Sequence, residues 1–396
     1  MNFIFISPNY PKPFWNWCRQ LKNLGVNVLG IGDCPYDNLE DNLKSSLTEY
    51  YKVPTLENYN DVYRAVAFFS FKYGRIDAIE SNNEYWLEQD ARLREDFNIK
   101  SGADPKVTAR YKTKSAMKRY YKKAGVPTAL YHLVKEKKDA LKFIRKVGYP
   151  VIAKPDGGVG ATHTYKIKNE AELDEFFVTK LDVPYIMEEF IDGDIFSYDA
   201  IINSKSEPLF ESMTEWPPSI LDIVNDAKEL TYFIPPYVDE QLRAFGRATV
   251  KAFGVYSRFV HLEFFKLKKS CHLGKKGEFV ALEANMRPFG GYTPDMCNYA
   301  HSVDVYKLWA EMMVYDRLVS PVSEEDFFCV YAGRRDIYNY LHTEDEVSAK
   351  FGSQIVTHER MPELMVPQLG NVNFTAKVNS REAVDEFIRF TLTKAE

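Results

Sequence analysis

Pro150-Val151-Ile152-Ala153-Lys154-Pro155-Asp156-Gly157-Gly158-Val159-Gly160-Ala161 is the stretch on which the reading of this chain turns. An apolar strand delivers a lysine, and a glycine-rich turn follows at once. Closely spaced glycines let backbone N–H groups approach phosphate oxygens, and the lysine adds a point charge. No Gly-Lys-Ser/Thr follows, so this is not a P-loop. Taken alone, a plain hairpin turn reads the same way.

Other signals lie on either side. Upstream, Lys114 opens a basic helix, Thr113–Ala124, which Gly125-Val126-Pro127 closes. Downstream, Ile186-Met187-Glu188-Glu189-Phe190-Ile191-Asp192-Gly193-Asp194 reads as a strand ending in acids and a glycine turn. Further on come His261-Leu262-Glu263-Phe264-Phe265 and Phe279-Val280-Ala281-Leu282-Glu283-Ala284-Asn285-Met286-Arg287. Strand side chains alternate faces, so Glu283, Asn285 and Arg287 share one face. If Glu263 lies on the paired strand, two carboxylates and an amide converge. Hard oxygen ligands of this kind suit Mg²⁺, which binds through one or two carboxylates plus substrate phosphates. Facing acids with no cation repel, so the cluster implies a metal or raised pKa values. Acids on the wet face of a hairpin are the plainer alternative.

The first hundred residues alternate strand and helix signals. Phe3–Ser7, Val26–Ile31 and Ile76–Glu80 are strand-like, and Phe14–Leu24, Tyr59–Tyr73 and Asn83–Phe97 are helical. Such alternation predicts an open, mostly parallel sheet. The first strand runs into Pro8-Asn9-Tyr10-Pro11-Lys12-Pro13 rather than a G-x-G-x-x-G turn, which argues against a dinucleotide site there. Later helices are expected at Lys138–Val147, Asp239–Phe253 and Ser380–Thr393, and paired strands at Phe259–Leu267 and Glu278–Ala284. The 396 residues are 45% hydrophobic and 27% charged, which excludes disorder as the main state. Net charge is −5, without the basic surplus of a duplex-binding protein. No apolar run approaches the ~18 residues of a membrane span. The start reads as a strand rather than a signal peptide. Cys18, Cys34, Cys271, Cys297 and Cys329 are odd in number and contain no CxxC, which fits reduced thiols and a cytoplasmic location.

In combination these elements resemble the ATP-grasp superfamily, of the carboxylate–amine ligase type that includes biotin-carboxylase-like and L-amino acid ligase-like members. The order matches over roughly 106–316: lysine before a helix, lysine on a strand before a glycine-rich loop, an acidic hinge, then Glu…Glu-x-Asn-x-Arg. The resemblance implies four parts. Residues 1–105 are a pre-ATP-grasp α/β domain with an open parallel sheet, and 106–190 are the small lid subdomain. Residues 191–320 are the central subdomain, and 321–396 a small C-terminal α+β domain. It further implies that Lys114 and Lys154 reach the ATP phosphates and that Gly157, Gly158 and Gly160 belong to the loop closing over them. Glu188, Glu189, Phe190 and Ile191 form the hinge, where backbone groups of Glu189 and Ile191 read adenine. Glu263, Glu283 and Asn285 hold Mg²⁺, with Mn²⁺ an alternative. Arg287 faces the transferred phosphoryl group, and Arg287 and Lys154 are the catalytic pair.

The implied activity is ATP-dependent formation of an acylphosphate from a carboxylate, then capture by an amine, releasing ADP and phosphate. The partners are small carboxylates and amines, with no nucleic acid and no membrane; a homodimer is left open. Biotin-dependent carboxylases carry a glutamate four residues beyond the arginine, where this chain has Gly291. That disfavours bicarbonate activation. Arg287-Pro288-Phe289-Gly290-Gly291 instead resembles the carboxylate–amine ligases, where backbone N–H groups at Gly290 and Gly291 hold a substrate carboxylate. A thiol acceptor and a non-catalytic nucleotide-binding protein are the rival readings. Ile195 departs from the family glutamate that contacts ribose, with Asp194 or Asp199 as substitutes. His163 lies in the lid, where the alternatives are a phosphate contact and a plain exposed loop histidine, and Cys271-His272 lies in a strand connection and reads as structural. Glu84, Arg334 and Arg335 are guesses for substrate contacts.

Overall fold

The computed structural model describes residues 1–158, 163–216, 229–323 and 325–395. Strand β1 (Asn2–Ile6) has Phe3 to Ile6 fully buried, the signature of a strand covered on both faces. It lies parallel between β2 (Asn27–Gly32) and β4 (Ala78–Glu80), with β3 (Glu49–Lys52) parallel beyond β2, giving the order β3-β2-β1-β4. The helices Trp15–Asn23, Asp41–Ser46 and Tyr59–Tyr73 make the crossovers. The expected parallel sheet is therefore present. The short β3 lies outside the sequence reading because Glu-Tyr-Tyr-Lys has no apolar pattern.

A second, antiparallel sheet has the order β5-β8-β6-β7 and uses β5 (Tyr131–Val134), β6 (Val151–Pro155), β7 (Tyr165–Ile167) and β8 (Tyr185–Glu189). The helices Lys137–Val147 and Glu170–Thr179 pack on one face, burying Ala140, Ile144, Leu173 and Phe176 against Val151, Ala153 and Met187.

The third sheet is antiparallel and eight-stranded, in the order β13-β12-β9-β10-β11-β14-β16-β15. Its members are β9 (Gly193–Ile202), β10 (Pro208–Trp216), β11 (Thr231–Ile234), β12 (Arg258–Leu267), β13 (Phe279–Asn285), β14 (Phe328–Arg334), β15 (Ile355–Arg360) and β16 (Val372–Val378). The strands beyond residue 320 thus continue the sheet that β9 begins. The helices Lys114–Ala124 and Glu240–Phe253 pack on one face. Gly246 lets the second of these approach closely, since a Cβ there would sit 2.4 Å from the Tyr198 ring. The helices Thr293–His301 and Val305–Tyr315 cover the other face.

Aromatic packing locks the first sheet to the third. Trp17 meets Tyr306, Trp309 and Phe259 edge-on at 4.6, 5.2 and 6.2 Å, and Phe3 meets Trp309 at 5.8 Å. A buried ion network reinforces that junction. Glu80, at the end of β4, accepts from Arg258 at 3.1 Å through both oxygens and lies 3.6 Å from Arg94. Burial pushes its carboxyl up, but the Arg258 and Arg94 guanidiniums outweigh that and hold it below the ordinary value. Removing one partner of such a pair strands a buried charge. Arg258→Met is expected to cost about 3–5 kcal/mol in urea unfolding. Glu80→Gln with Arg258→Met should recover a large part of that loss. A single variant as stable as wild type would show that the pair is dispensable.

Candidate active site

The glycine-rich turn is tied to the helix that carries Lys114. Thr113 caps that helix, accepting from the Ala116 N–H. The Asp156 carboxylate accepts from the Ser115 backbone N–H at 2.7 Å and the Ser115 hydroxyl at 2.6 Å. The Lys114 N–H donates to the Asp156 carbonyl at 2.8 Å. A carboxylate at a helix N-terminus satisfies donors that lack intrahelical partners and complements the helix dipole. This contact fixes the end of β6 against the helix and so brings three lysines into one buried region.

Lys154 Nζ lies 2.8 Å from Glu188 on the neighbouring β8. Lys118, one helical turn after Lys114, ion-pairs with the same carboxylate and donates to Thr128 Oγ1 at 2.8 Å. Burial pushes Glu188 up, yet Lys118 and Lys154 overcome it and hold the carboxyl at about 2. Burial likewise works against the charged form of Lys154, but Glu188 and then Glu283 keep it above the ordinary lysine value. Lys118 was missed in the sequence. Its signal was its spacing, because residues i and i+4 share a helix face.

The acidic cluster forms as expected. Glu263 and Glu283 are directly opposite on β12 and β13, and His261 is opposite Asn285. Glu283 accepts from Lys114 Nζ at 2.9 Å, and Lys114 also reaches the Gly158 carbonyl at 3.4 Å. Glu263 lies 3.3 Å from His261 Nε2, whose Nδ1 is 2.6 Å from Asp199. Burial pushes the imidazole down, but the two carboxylates raise it to about 9, so it is an imidazolium wedged between acids. Arg287 follows β13 and meets Glu84 at 3.3 Å. The Asn285 amide satisfies Glu84 at 2.9 and 3.2 Å when its nitrogen is turned that way, which aims its oxygen toward Glu263. Two carboxylates and an amide oxygen then face one region, a hard donor set that fits a divalent cation also bound by phosphate. Among the described residues no group of three or more His, Cys, Asp or Glu side chains is placed to hold a metal ion, so the donor set here is two carboxylates and an amide.

The hinge lies beside this array. The Glu189 carboxylate accepts from the Leu130 N–H at 2.6 Å and lies 3.3 Å from His272 Nε2. His272, read as structural, therefore touches the hinge. Phe190 is exposed, with Lys166 Nζ 4.2 Å from its ring centroid. Ile191 packs with Ala129, Leu267 and Val280. Gly157 and Gly158 are exposed, and Gly158 has φ +104°, which suits glycine. Gly160 lies outside the described residues. Three guesses need correction. Asp199 is fully buried and engaged by His261 and Ser197, so it is not free to contact a ribose. Arg334 donates to the Thr391 and His342 carbonyls, and Arg335 to those of Val366 and Pro367. Both guanidiniums bind C-terminal backbone. Glu84, by contrast, is in the site.

The lysine pair makes a pH-dependent contribution with a definite sign. Because the folded Glu188 carboxyl sits near 2, its stabilisation is present above the unfolded value of about 4.3 and lost as pH falls toward 2. Lys118→Met should therefore destabilise the protein by about 3 kcal/mol at pH 7 and by much less near pH 3. Urea unfolding at the two pH values measures this. A loss equal at both would assign the effect to packing.

Residues 109–214 match the model of the ATP-grasp domain. The chain is 27% identical over 259 residues to the L-arginine-specific L-amino acid ligase of Bacillus subtilis, covering 62% of this chain and 59% of that protein. A D-alanine–D-alanine ligase of Marinomonas is 30% identical over 111 residues, covering 28% of this chain and 35% of that protein. The matches thus span about a third to three fifths of these relatives. Among solved structures, the L-amino acid ligase of Bacillus licheniformis superposes with a TM-score of 0.73 at 16% identity, covering 98% of this chain and 96% of that one. The N5-carboxyaminoimidazole ribonucleotide synthetase of Thermotoga maritima gives 0.68 at 16%, covering 99% and 98%. At such identity these two show the fold. The chain therefore carries a segment, 109–214, that matches the ATP-grasp domain, within a fold similar to those of an L-amino acid ligase and an N5-carboxyaminoimidazole ribonucleotide synthetase.

Proposed function

We propose that the protein is an ATP-dependent ligase that activates a carboxylate as an acylphosphate and joins it to an amine. The observation that carries this reading is the interleaving of charge where the three sheets meet. Lys114, Lys118, Lys154 and Arg287 alternate with Glu188, Glu263, Glu283 and Glu84. A triphosphate with a divalent cation matches both halves of that array, phosphate oxygens to the cations and metal to the carboxylates.

Lys114 and Lys154 hold the phosphate chain, and Gly157 and Gly158 belong to the loop above it. Glu188 keeps Lys154 charged and aimed. Backbone groups of Glu189 and Ile191 read the adenine edge, and Phe190 flanks them. Glu263, Glu283 and the Asn285 oxygen are the groups to hold Mg²⁺, which supplies neutralisation of phosphate charge when bound. Arg287 stands beyond them, where its guanidinium stabilises charge on the transferred phosphoryl group. A substrate carboxylate attacks the terminal phosphorus, and ADP leaves. The acylphosphate is a good acyl donor because phosphate leaves far more readily than oxide. A bound amine then attacks as an effectively intramolecular partner. Gly291 stands where a carboxylase would present its glutamate, so an amine acceptor is favoured over bicarbonate chemistry.

An ADP-release screen over acid and amine pairs identifies substrates, and isotope labelling tests the mechanism. With ¹⁸O in the acid's carboxylate, one labelled oxygen should appear in inorganic phosphate alongside ADP. Label in AMP would show adenylation, and ADP with unlabelled phosphate would mean hydrolysis; either overturns the reading. Lys154→Met should weaken ATP binding ~10- to 100-fold by calorimetry, the value of a lost charge-assisted hydrogen bond. Glu283→Gln should lower turnover ~100-fold or more and shift the Mg²⁺ titration upward. An unchanged titration would remove Glu283 from the metal site.

A further inference from the structure

Two rows of polar side chains cross the third sheet at the acidic cluster. Directly opposed residues on paired strands share a face, so register alone lines them up. One row runs Asn285, His261, Asp199 and Ser212 over β13, β12, β9 and β10. The next runs Glu283, Glu263, Ser197 and Thr214 over the same strands. The pairs that flank the two rows on that face are apolar, Phe259 with Ile201 and Phe265 with Ile195. Ser197, Asp199, Ser212 and Thr214 are fully buried, and His261 nearly so. Glu283 and Glu263 keep 18% and 21% of their side chains exposed, so the block opens at the proposed metal site. A polar block inside a sheet is costly unless its members satisfy one another.

The pairing within the block leads to Glu263. Ser197 Oγ and Thr214 Oγ1 donate to Asp199 Oδ2 at 2.6 and 3.4 Å. The other oxygen of Asp199, Oδ1, accepts from His261 Nδ1 at 2.6 Å. His261 Nε2 lies 3.3 Å from Glu263 Oε1. A carboxylate only accepts, so each ring nitrogen presents an N–H. The imidazole is a stiff spacer whose nitrogens reach two carboxylates at once. Among the described residues Glu263 Oε2 has no hydrogen-bond partner. Glu283 shows the same arrangement, with Oε1 taken by Lys114 at 2.9 Å. Each acid therefore has one oxygen held from within the protein and one left over.

We propose that Asp199 and His261 are positioning residues for Glu263, holding its carboxylate by one oxygen so that the other faces the divalent cation. Neither residue touches the nucleotide or the cation. The inference rests on the metal site within the ligase reading above and adds the groups that keep its ligand in place. Hydrogen bonds from an outer layer generally orient metal ligands, and losing one costs about 10- to 100-fold in metal affinity. Ser197 and Thr214 fix Asp199 in turn, which explains why polar residues continue so far beneath the site.

The metal's contribution is read by binding, without turnover. Calorimetry of ADP binding to the full chain is carried out in excess Mg²⁺ and in EDTA, and the ratio of the two dissociation constants is the Mg²⁺-dependent gain. Asp199→Asn combined with His261→Leu removes the pair without stranding a buried charge. It should cut the gain ~10-fold or more, with the constant in EDTA changed by less than about twofold. His261→Gln, which can still donate to Glu263, should keep part of the gain. Thermal unfolding checks that each variant is folded. A folded double variant with the wild-type gain makes the pair structural only; it overturns the proposal and leaves the ligase reading intact. A His261→Gln variant that loses as much as the double variant also overturns it. If the double variant does not fold, His261→Gln decides: a reduced gain supports the proposal and an unchanged gain overturns it. Equal affinity for ADP with and without Mg²⁺ in the wild type overturns the proposal together with the metal site. The expected losses of gain, found in a protein that releases no ADP with any acid and amine pair, support the proposal and overturn the ligase reading.

Discussion

Glu188 is the constraint on which the site depends. A buried ammonium group must either find a carboxylate or lose its proton. Two lysines from different elements, Lys118 on a helix and Lys154 on β6, are held against one carboxylate on β8. That single acid joins the helix to the second sheet and keeps Lys154 charged where burial alone would discharge it. Asp156 does the complementary work on the backbone, anchoring the glycine turn to the first turn of the same helix. The lysines are thus positioned by groups that do not themselves need to touch a nucleotide.

The acidic half is built on a different principle. Glu263 and Glu283 are neighbours because β12 and β13 pair in that register, and a one-residue slip would send one of them to the other face. Their mutual repulsion is offset from two sides, by Lys114 on Glu283 and by the His261 imidazolium on Glu263. Asp199 lies behind His261 and keeps the imidazolium in place. Each acid therefore has a cation of its own. A charged array balanced in this way suits a polyanion with its counter-cation, because the incoming charges substitute for internal ones rather than adding to them.

Much of this was legible in the sequence because its signals are local. The glycine after the Lys114–Ala124 helix, the apolar run of β1 and the alternation of Glu283 with Asn285 each reflect one element's own geometry. The Tyr59–Tyr73 helix was readable to the residue. What stayed hidden depends on contact between distant segments. Lys118 is one basic residue in Lys-Ser-Ala-Met-Lys-Arg, and only the fold shows that it, rather than Arg119, turns inward to Glu188. The Arg334-Arg335 pair was only a guess for substrate contact, and the C-terminal backbone returns past β14 and accepts from both guanidiniums. Asp199 looked free because nothing local reveals that His261 arrives from β12.

The same distinction explains why substrate choice is the least legible property of the chain. The charged centre is built from short motifs on adjacent strands, and its chemistry follows from residue type and spacing. The crevice beside it is built from segments more than 200 residues apart, the turn after β1 and the turn after Arg287, joined through the Trp17 aromatic cluster. None of its apolar walls is a motif. Each reads on its own as ordinary core. Packing of the first sheet on the third makes them a cavity, and the Glu80–Arg258 ion pair helps hold that packing. The junction that stabilises the two sheets therefore also sets the shape of the crevice beside Arg287.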